Sequence, residues 1–465
     1  MFTINVQDFG PIGEGMVSLR PLTVLIGPNN AGKSYLALLT YALSRPFGRP
    51  PASFRQGVYW YRHFAMEPGL ALSEEARERL ELEMDQKGET RFGDFPEEIQ
   101  GVMHAAMGKF IPRLAEGLSQ ELQRGFATKL AELARNRAAD GFRLWLEQSD
   151  PELKLALSLE KGRLHVDSGT WDVSSQLADL SELREFSPQL FYEFLPGAIV
   201  RSLFHNFFTT SYYFPAARSG ILQGHKALAS SILSRVPLAG IEPLQIPTLS
   251  GVLVDFIGNV LRLEKDQADR QISEVASFLE EKACKGKVDI GATEAKFEYP
   301  EIYYELDGSR LPLHRASSMV SEIAPIILFL KHVVQKEDLL IIEEPEAHLH
   351  PDNQRTLAIA MVKLVRLGVR LIITTHSEYL LHQISNFVRL AGAAEKRAEL
   401  GYSKDDYLLP EEVGSYLFSF GKDSGASHIK ELKVTEEDGI PEDEFVRIAE
   451  AIYDETLSIE RSLLH

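Results

Sequence analysis

The chain has 465 residues, 44% of them hydrophobic and 25% charged, and its formal net charge is −18. That length suits two or three packed lobes, and the balance is that of a globular protein rather than a disordered or fibrous one. The acidic surplus excludes a surface that coats nucleic acid throughout, leaving room only for a local basic patch, and the single cysteine, Cys284, excludes an internal disulfide framework.

Met1 to Asn5 runs straight into a strand pattern instead of a basic-then-apolar leader. Leu22–Ile26 is an apolar run with the character of a buried strand, and Tyr35–Leu39 reads as the first turns of a helix. Between them stands Gly27-Pro28-Asn29-Asn30-Ala31-Gly32-Lys33-Ser34. This fits G-x-x-x-x-G-K-[ST], a loop whose backbone N–H groups cradle nucleotide phosphates at a helix N-terminus. Lys33 is expected to reach the β- and γ-phosphates and Ser34 to sit on Mg²⁺, with ATP as the nucleotide and Tyr35 closing the set of contacts.

Asp94 to Gln148 is expected to be helical, because Phe110, Leu114, Leu118, Leu122, Phe126, Leu130 and Leu133 recur every three or four residues. Lys109, Arg113, Arg124, Lys129, Arg135 and Arg137 read as its solvated face. Leu153 to Leu159 alternate, Glu160-Lys161-Gly162 turn, and Leu164 and Val166 alternate again, which is a hairpin with one buried face. The aromatic run from Leu190 to Phe208 reads as core or interface. Two helices are expected over Leu253–Lys282, then a hairpin from Lys296 to Leu313 turning at Asp307-Gly308. Met319–Leu330 is interrupted by Ser321, Glu322 and Pro325, and no apolar run approaches the ~20 residues that span a bilayer, so no membrane partner is expected.

Leu339–Ile342 reads as a buried parallel strand ending in Glu343-Glu344-Pro345-Glu346. Carboxylates at the C-terminal end of a central strand are where an α/β sheet places its chemistry: one can hold Mg²⁺, the next can act on an attacking water. A third strand, Val369–Ile373, ends in Thr374-Thr375-His376-Ser377. Three polar strand ends converging on one phosphate site point to function. Strands are also expected at Tyr416–Phe420 and Ile429–Val434, and a helix from Pro441 to about Leu464.

These pieces resemble the ATP-binding-cassette ATPases of the SMC, RecF and OLD group. The lead-in from Phe9 to Asn30 looks like that group's N-terminal strands, and Leu340-Ile-Ile-Glu-Glu-Pro-Glu-Ala-His-Leu-His-Pro351 resembles the Walker B and D-loop of OLD-like ATPases. By that resemblance Glu343 is the Walker B acid and a metal ligand beside Ser34, Glu344 is the catalytic glutamate, Glu346 to His348 belong to the D-loop, and His376 is the switch histidine that senses the γ-phosphate. Ala316 to Glu322 holds the position of the signature loop, without the Ser-Gly-Gly of transporters, and Ser317 and Ser318 would be its phosphate contacts, acting across a subunit interface. Tyr212-Tyr-Phe-Pro-Ala-Ala-Arg218 is similar to a Y-x-P-A-x-R segment of these ATPases. OLD nucleases carry a Toprim domain after the ATPase lobe, but this tail has neither its length nor its motif, and Asp443 and Glu444 read as first-turn helix acids. His348 and His350 fall short of the three or four ligands of a zinc site.

The expected fold class is therefore α/β, a P-loop NTPase of the ABC-ATPase type, with a mixed central sheet flanked by helices and a largely helical insertion. Its lobes are 1–45 with 210–395 (ATPase), 46–209 (insertion with a hairpin) and 396–465 (C-terminal α/β extension). The resemblance implies a cytoplasmic ATPase that forms a homodimer or higher homo-oligomer around ATP. It would control a separate effector, a nuclease or toxin, in defence against phage. Direct action on DNA, in the manner of RecF, is the alternative.

Overall fold

The computed structural model describes residues 1–45, 75, 90–95, 97–135, 141–149, 152–172, 177–178, 210–224, 248–263, 269–291, 301–421 and 425–463. The expected aromatic run at 190–208 lies outside the described residues.

An antiparallel pair opens the chain: β1 (Phe2–Phe9) and β2 (Ile12–Leu19). Phe2, Ile4 and Val6 alternate into the core, as a half-covered strand requires. β3 (Leu22–Ile26) is buried at all five positions, the pattern of a strand covered on both faces. The phosphate-loop motif follows, then α1 (Lys33–Ser44).

The long helical expectation is corrected here. α2 spans Glu97–Phe126; Leu130–Leu133 is a short 3₁₀ turn; Arg143–Ser149 is β4, a strand. Ala127, at φ +51°, ends the helix in a left-handed residue. Beyond it the period changes from helical to two: Leu144, Leu146 and Gln148 are buried while Arg143, Glu147 and Ser149 are exposed. Leu130 and Leu133 still reach the core that Leu114, Leu118 and Leu122 enter from the helix. The hairpin that follows is β5 (Glu152–Glu160) and β6 (Arg163–Asp172), turning through Lys161 and Gly162 with positive φ at both, the requirement of a tight hairpin turn.

β7 (Ser211–Phe214) leads to two helices in the expected stretch, α3 (Gly251–Leu261) and α4 (Arg270–Leu279). A small sheet of β8 (Lys287–Ile290), β9 (Ile302–Leu306) and β10 (Ser309–Pro312) feeds α5 (Ser318–His332). Every residue of α5 from Val320 to Leu330 is buried, so this helix is enclosed on all sides. Then come β11 (Leu339–Glu343), α6 (Pro351–Arg366), β12 (Arg370–Thr375), α7 (Glu378–Arg389), β13 (Val413–Phe420), β14 (Ser427–Leu432) and α8 (Asp443–Leu463).

One eleven-stranded sheet runs through the molecule in the order β6-β5-β4-β1-β2-β14-β13-β3-β12-β11-β7. β7, β11, β12, β3 and β13 are mutually parallel, whereas β6 to β2 are antiparallel neighbours, so the sheet is mixed. The parallel part has helices on both faces. One core gathers α1 and α2 with the antiparallel strands, and the other gathers α4, α5, α6 and α7. This is an α/β P-loop NTPase fold: the phosphate loop sits between the C-terminal end of a central parallel strand and the first helix. Among the described residues no helix is long and apolar enough to cross a membrane.

Candidate functional site

Parallel pairing aligns three strand ends. Thr375 of β12 pairs with Ile26, the last residue before the phosphate loop, and Thr374 pairs with Glu343. Glu343, Glu344, His376 and the loop therefore meet at one edge of the sheet.

The loop's shape depends on two glycines. Gly27 has φ +140°, and a Cβ there would lie 2.3 Å from the Phe418 carbonyl oxygen on β13. Gly32 has φ +100° and caps α1, and a Cβ would meet Ile12 at 2.6 Å. Both conformations exclude ordinary side chains. Asn30, at φ +63°, is the third left-handed residue of the loop. Pro28, Asn29, Asn30 and Ser34 are exposed; Ala31 is buried, and its carbonyl accepts from the Ser427 hydroxyl at 2.6 Å. Tyr35 is half-buried and packs its ring on Phe126 and Phe9.

Lys33 is 6% exposed, and its ammonium donates to the carbonyls of Gly27 and Pro28, each at 2.8 Å. Burial pulls its pKa from 10.5 down to about 8, against the attraction of Glu344, Glu346 and Glu343. A desolvated cation facing three carboxylates, at the N-terminus of α1, suits a polyanion that brings its own cation.

Glu343 closes β11. One of its carboxylate oxygens accepts from the Ala216 N–H at 3.4 Å, and the buried Tyr213 hydroxyl is pushed well above its usual range by burial and by Glu343. Ser34 and Glu343 offer only oxygen donors, the set that suits Mg²⁺. Glu344 takes a left-handed φ of +41°, held by its N–H donating to the Thr374 carbonyl at 2.9 Å. Its carboxylate is 3.9 Å from His376 Nε2. Burial and the Lys33 charge lower the His376 pKa, while Glu344 opposes them, so the ring is neutral at neutral pH.

Glu346 accepts from the Thr375 hydroxyl at 2.6 Å and the His376 N–H at 2.8 Å, tying the turn after β11 to the end of β12. Burial raises its pKa in spite of those bonds. His348 is exposed with φ +60°, and His350 is the N-cap of α6, its Nδ1 accepting from the Asp352 N–H at 3.3 Å. A capping role accounts for His350 without a metal.

Ser317 and Ser318 are not brought into this cluster. Both are exposed at the start of α5, where Ser317 caps the helix by accepting from the Val320 N–H at 3.3 Å. Two residues of this region received no role from the sequence. Arg218 is fully buried; its guanidinium donates to the carbonyls of Glu322 at 3.0 Å, Glu343 at 2.8 Å and Glu344 at 3.4 Å. Glu322, also fully buried, is its ion-pair partner at 3.3 Å. The signal was a charge inside the apolar run Met319–Leu330: such a charge, if buried, needs a partner.

Residues 242–381 match the family model of an AAA ATPase domain. That interval holds Ser317, Ser318, Glu343, Glu344 and His376, and implies ATP binding. No curated protein matches the chain. Solved structures similar to it include SMC heads. One, bound to the C-terminal winged-helix domain of ScpA, is 12% identical with a TM-score of 0.40, covering 94% of this chain and 98% of that one. A Pyrococcus furiosus Smc head with an extended coiled coil, bound to the ScpA C-terminal domain, is 12% identical with a TM-score of 0.38, covering 97% and 100%. The SMC head domain of Thermotoga maritima is 11% identical with a TM-score of 0.34, covering 93% and 98%.

Proposed function

We propose that this protein is an ATP-hydrolysing switch of the ABC type, which closes into a dimer or larger oligomer around ATP. The observation that carries the reading is the convergence of Lys33, Glu343, Glu344 and His376 at one sheet edge, with Lys33 desolvated against the carboxylates. The loop N–H groups and the Lys33 ammonium hold the β- and γ-phosphates. Ser34 and Glu343 would hold Mg²⁺, which would neutralise charge on the phosphates. Glu344 orients the attacking water and takes its proton, and neutral His376 donates a hydrogen bond toward the γ-phosphate.

Ser317 and Ser318, exposed and apart from the cluster at a helix N-terminus, are available to complete a second subunit's site. Opening and closing of that composite site is the output, and it acts on a separate effector such as a nuclease or toxin. Phage defence as the setting rests on the resemblance to OLD-like ATPases alone.

The test is turnover by homogeneous protein. It hydrolyses ATP and leaves plasmid DNA uncut with Mg²⁺ or Mn²⁺, while Lys33→Ala loses binding. Glu344→Gln binds ATP but hydrolyses it ~10²–10⁴ more slowly. Full turnover by Glu344→Gln removes that residue from catalysis. DNA cleavage that survives purification replaces the separate effector with direct action on DNA.

A further inference from the structure

The fully buried pair Arg218–Glu322 joins two parts of the site, the acidic turn after β11 and the helix α5. Arg218 follows β7, and its guanidinium reaches the carbonyls of Pro215 at 3.3 Å, Glu343 and Glu344, so it grips the backbone of the acidic turn from below. Its Nε turns the other way, to the backbone carbonyl and carboxylate of Glu322 in the second turn of α5. That turn stands directly on the one that presents Ser317 and Ser318. Among the described residues neither Glu322 carboxylate oxygen has a hydrogen-bond donor, and Arg218 is the cation that faces it. Burial alone depresses the Arg218 pKa, and Glu322 is the foremost group that opposes it. A buried ion pair seldom adds net stability over an apolar pair of the same size, so its bonds to the backbone of the acidic turn are the more informative feature.

We infer that Arg218 is a positioning residue. It fixes the left-handed backbone of Glu344 and, through Glu322, couples that backbone to the helix that bears Ser317 and Ser318. Movement of α5 when its N-terminus meets a nucleotide on another subunit is then transmitted to the carboxylate that acts on water. The inference rests on the reading of Glu344 as the residue that acts on water.

Arg218→Lys keeps a charge opposite Glu322 but lacks the planar fork that holds several carbonyls at once. It is expected to fold, as seen by circular dichroism, and to bind a fluorescent ATP analogue with Mg²⁺ as the parent does. Its kcat should fall by about 10²-fold, the usual consequence of misplacing a catalytic group by about 1 Å. Glu322→Gln keeps the size and removes the charge, and should cut kcat on the order of tenfold with affinity unchanged. Arg218→Lys/Glu322→Gln together should cost no more than Arg218→Lys alone, because both break one link.

A folded Arg218→Lys with parental kcat overturns the positioning role. A double variant whose loss is the product of the two single losses overturns the coupling to α5. Should Arg218→Lys fail to fold, Glu322→Gln decides: parental kcat there overturns the inference. Parental protein that turns over ATP no faster than Lys33→Ala overturns the hydrolytic reading, and the positioning role falls with it.

Discussion

ATP affinity should fall as pH rises above 8, and Lys33 sets both the sign and the size of the effect. Its ammonium titrates at about 8 instead of 10.5 because burial removes water that three nearby carboxylates only partly replace. A triphosphate laid against it supplies the missing negative charge and returns its pKa at least to the ordinary value. The bound state thus holds the proton more tightly than the free state. Affinity is full below the free-state pKa and declines as pH climbs through it, flattening only above the bound-state pKa. With 8 and 10.5 as the two values, Kd is about tenfold weaker at pH 9 than at pH 7, and binding at pH 9 takes up about 0.9 proton. The terminal phosphate is ionised over this range, its second pKa lying near ~6, so it adds no titration of its own. His376, shifted downward, also stays neutral throughout. The assay is calorimetric titration with a non-hydrolysable ATP analogue and Mg²⁺, in two buffers of different ionisation heat. A Kd constant within about twofold from pH 7 to 9, with buffer-independent heats, refutes the assignment of Lys33 as the phosphate-binding cation.

Two further outcomes are expected. Gly27→Ala places a methyl 2.3 Å from the Phe418 carbonyl at φ +140°, so it should lower the melting temperature and abolish ATP binding; unchanged values in both would show that the loop tolerates a Cβ. Ser318→Arg should spoil hydrolysis with monomer ATP binding nearly intact, and mixing it with Lys33→Ala should restore part of the activity through one hybrid site; absence of rescue while subunits exchange argues against action in trans.

Local chemistry made the phosphate loop and the three polar strand ends legible in the sequence. A loop that needs left-handed glycines and a lysine must spell them out in consecutive residues, and a buried parallel strand must be apolar at every position. The hairpin at 152–172 was legible for the same reason, since Lys161 and Gly162 supply the turn and the alternation supplies the face. The helix expected through Gln148 failed because Leu130 and Leu133 continue the helical spacing of Leu114 to Phe126 while belonging to a 3₁₀ turn, and because the change to a period of two at Leu144, Leu146 and Gln148 went unread.

What the tertiary structure alone decided is which distant strands become neighbours. β13 and β14 insert between β3 and β2, so the Phe418 carbonyl and the Ser427 hydroxyl help shape a phosphate loop about four hundred residues upstream. No local propensity encodes that pairing, because a strand's pattern states how many faces are covered and not by what. The same holds for Arg218 and Glu322. The sequence shows a charge within an apolar run and another after a strand, but only packing brings the two into a common interior where each must find the other.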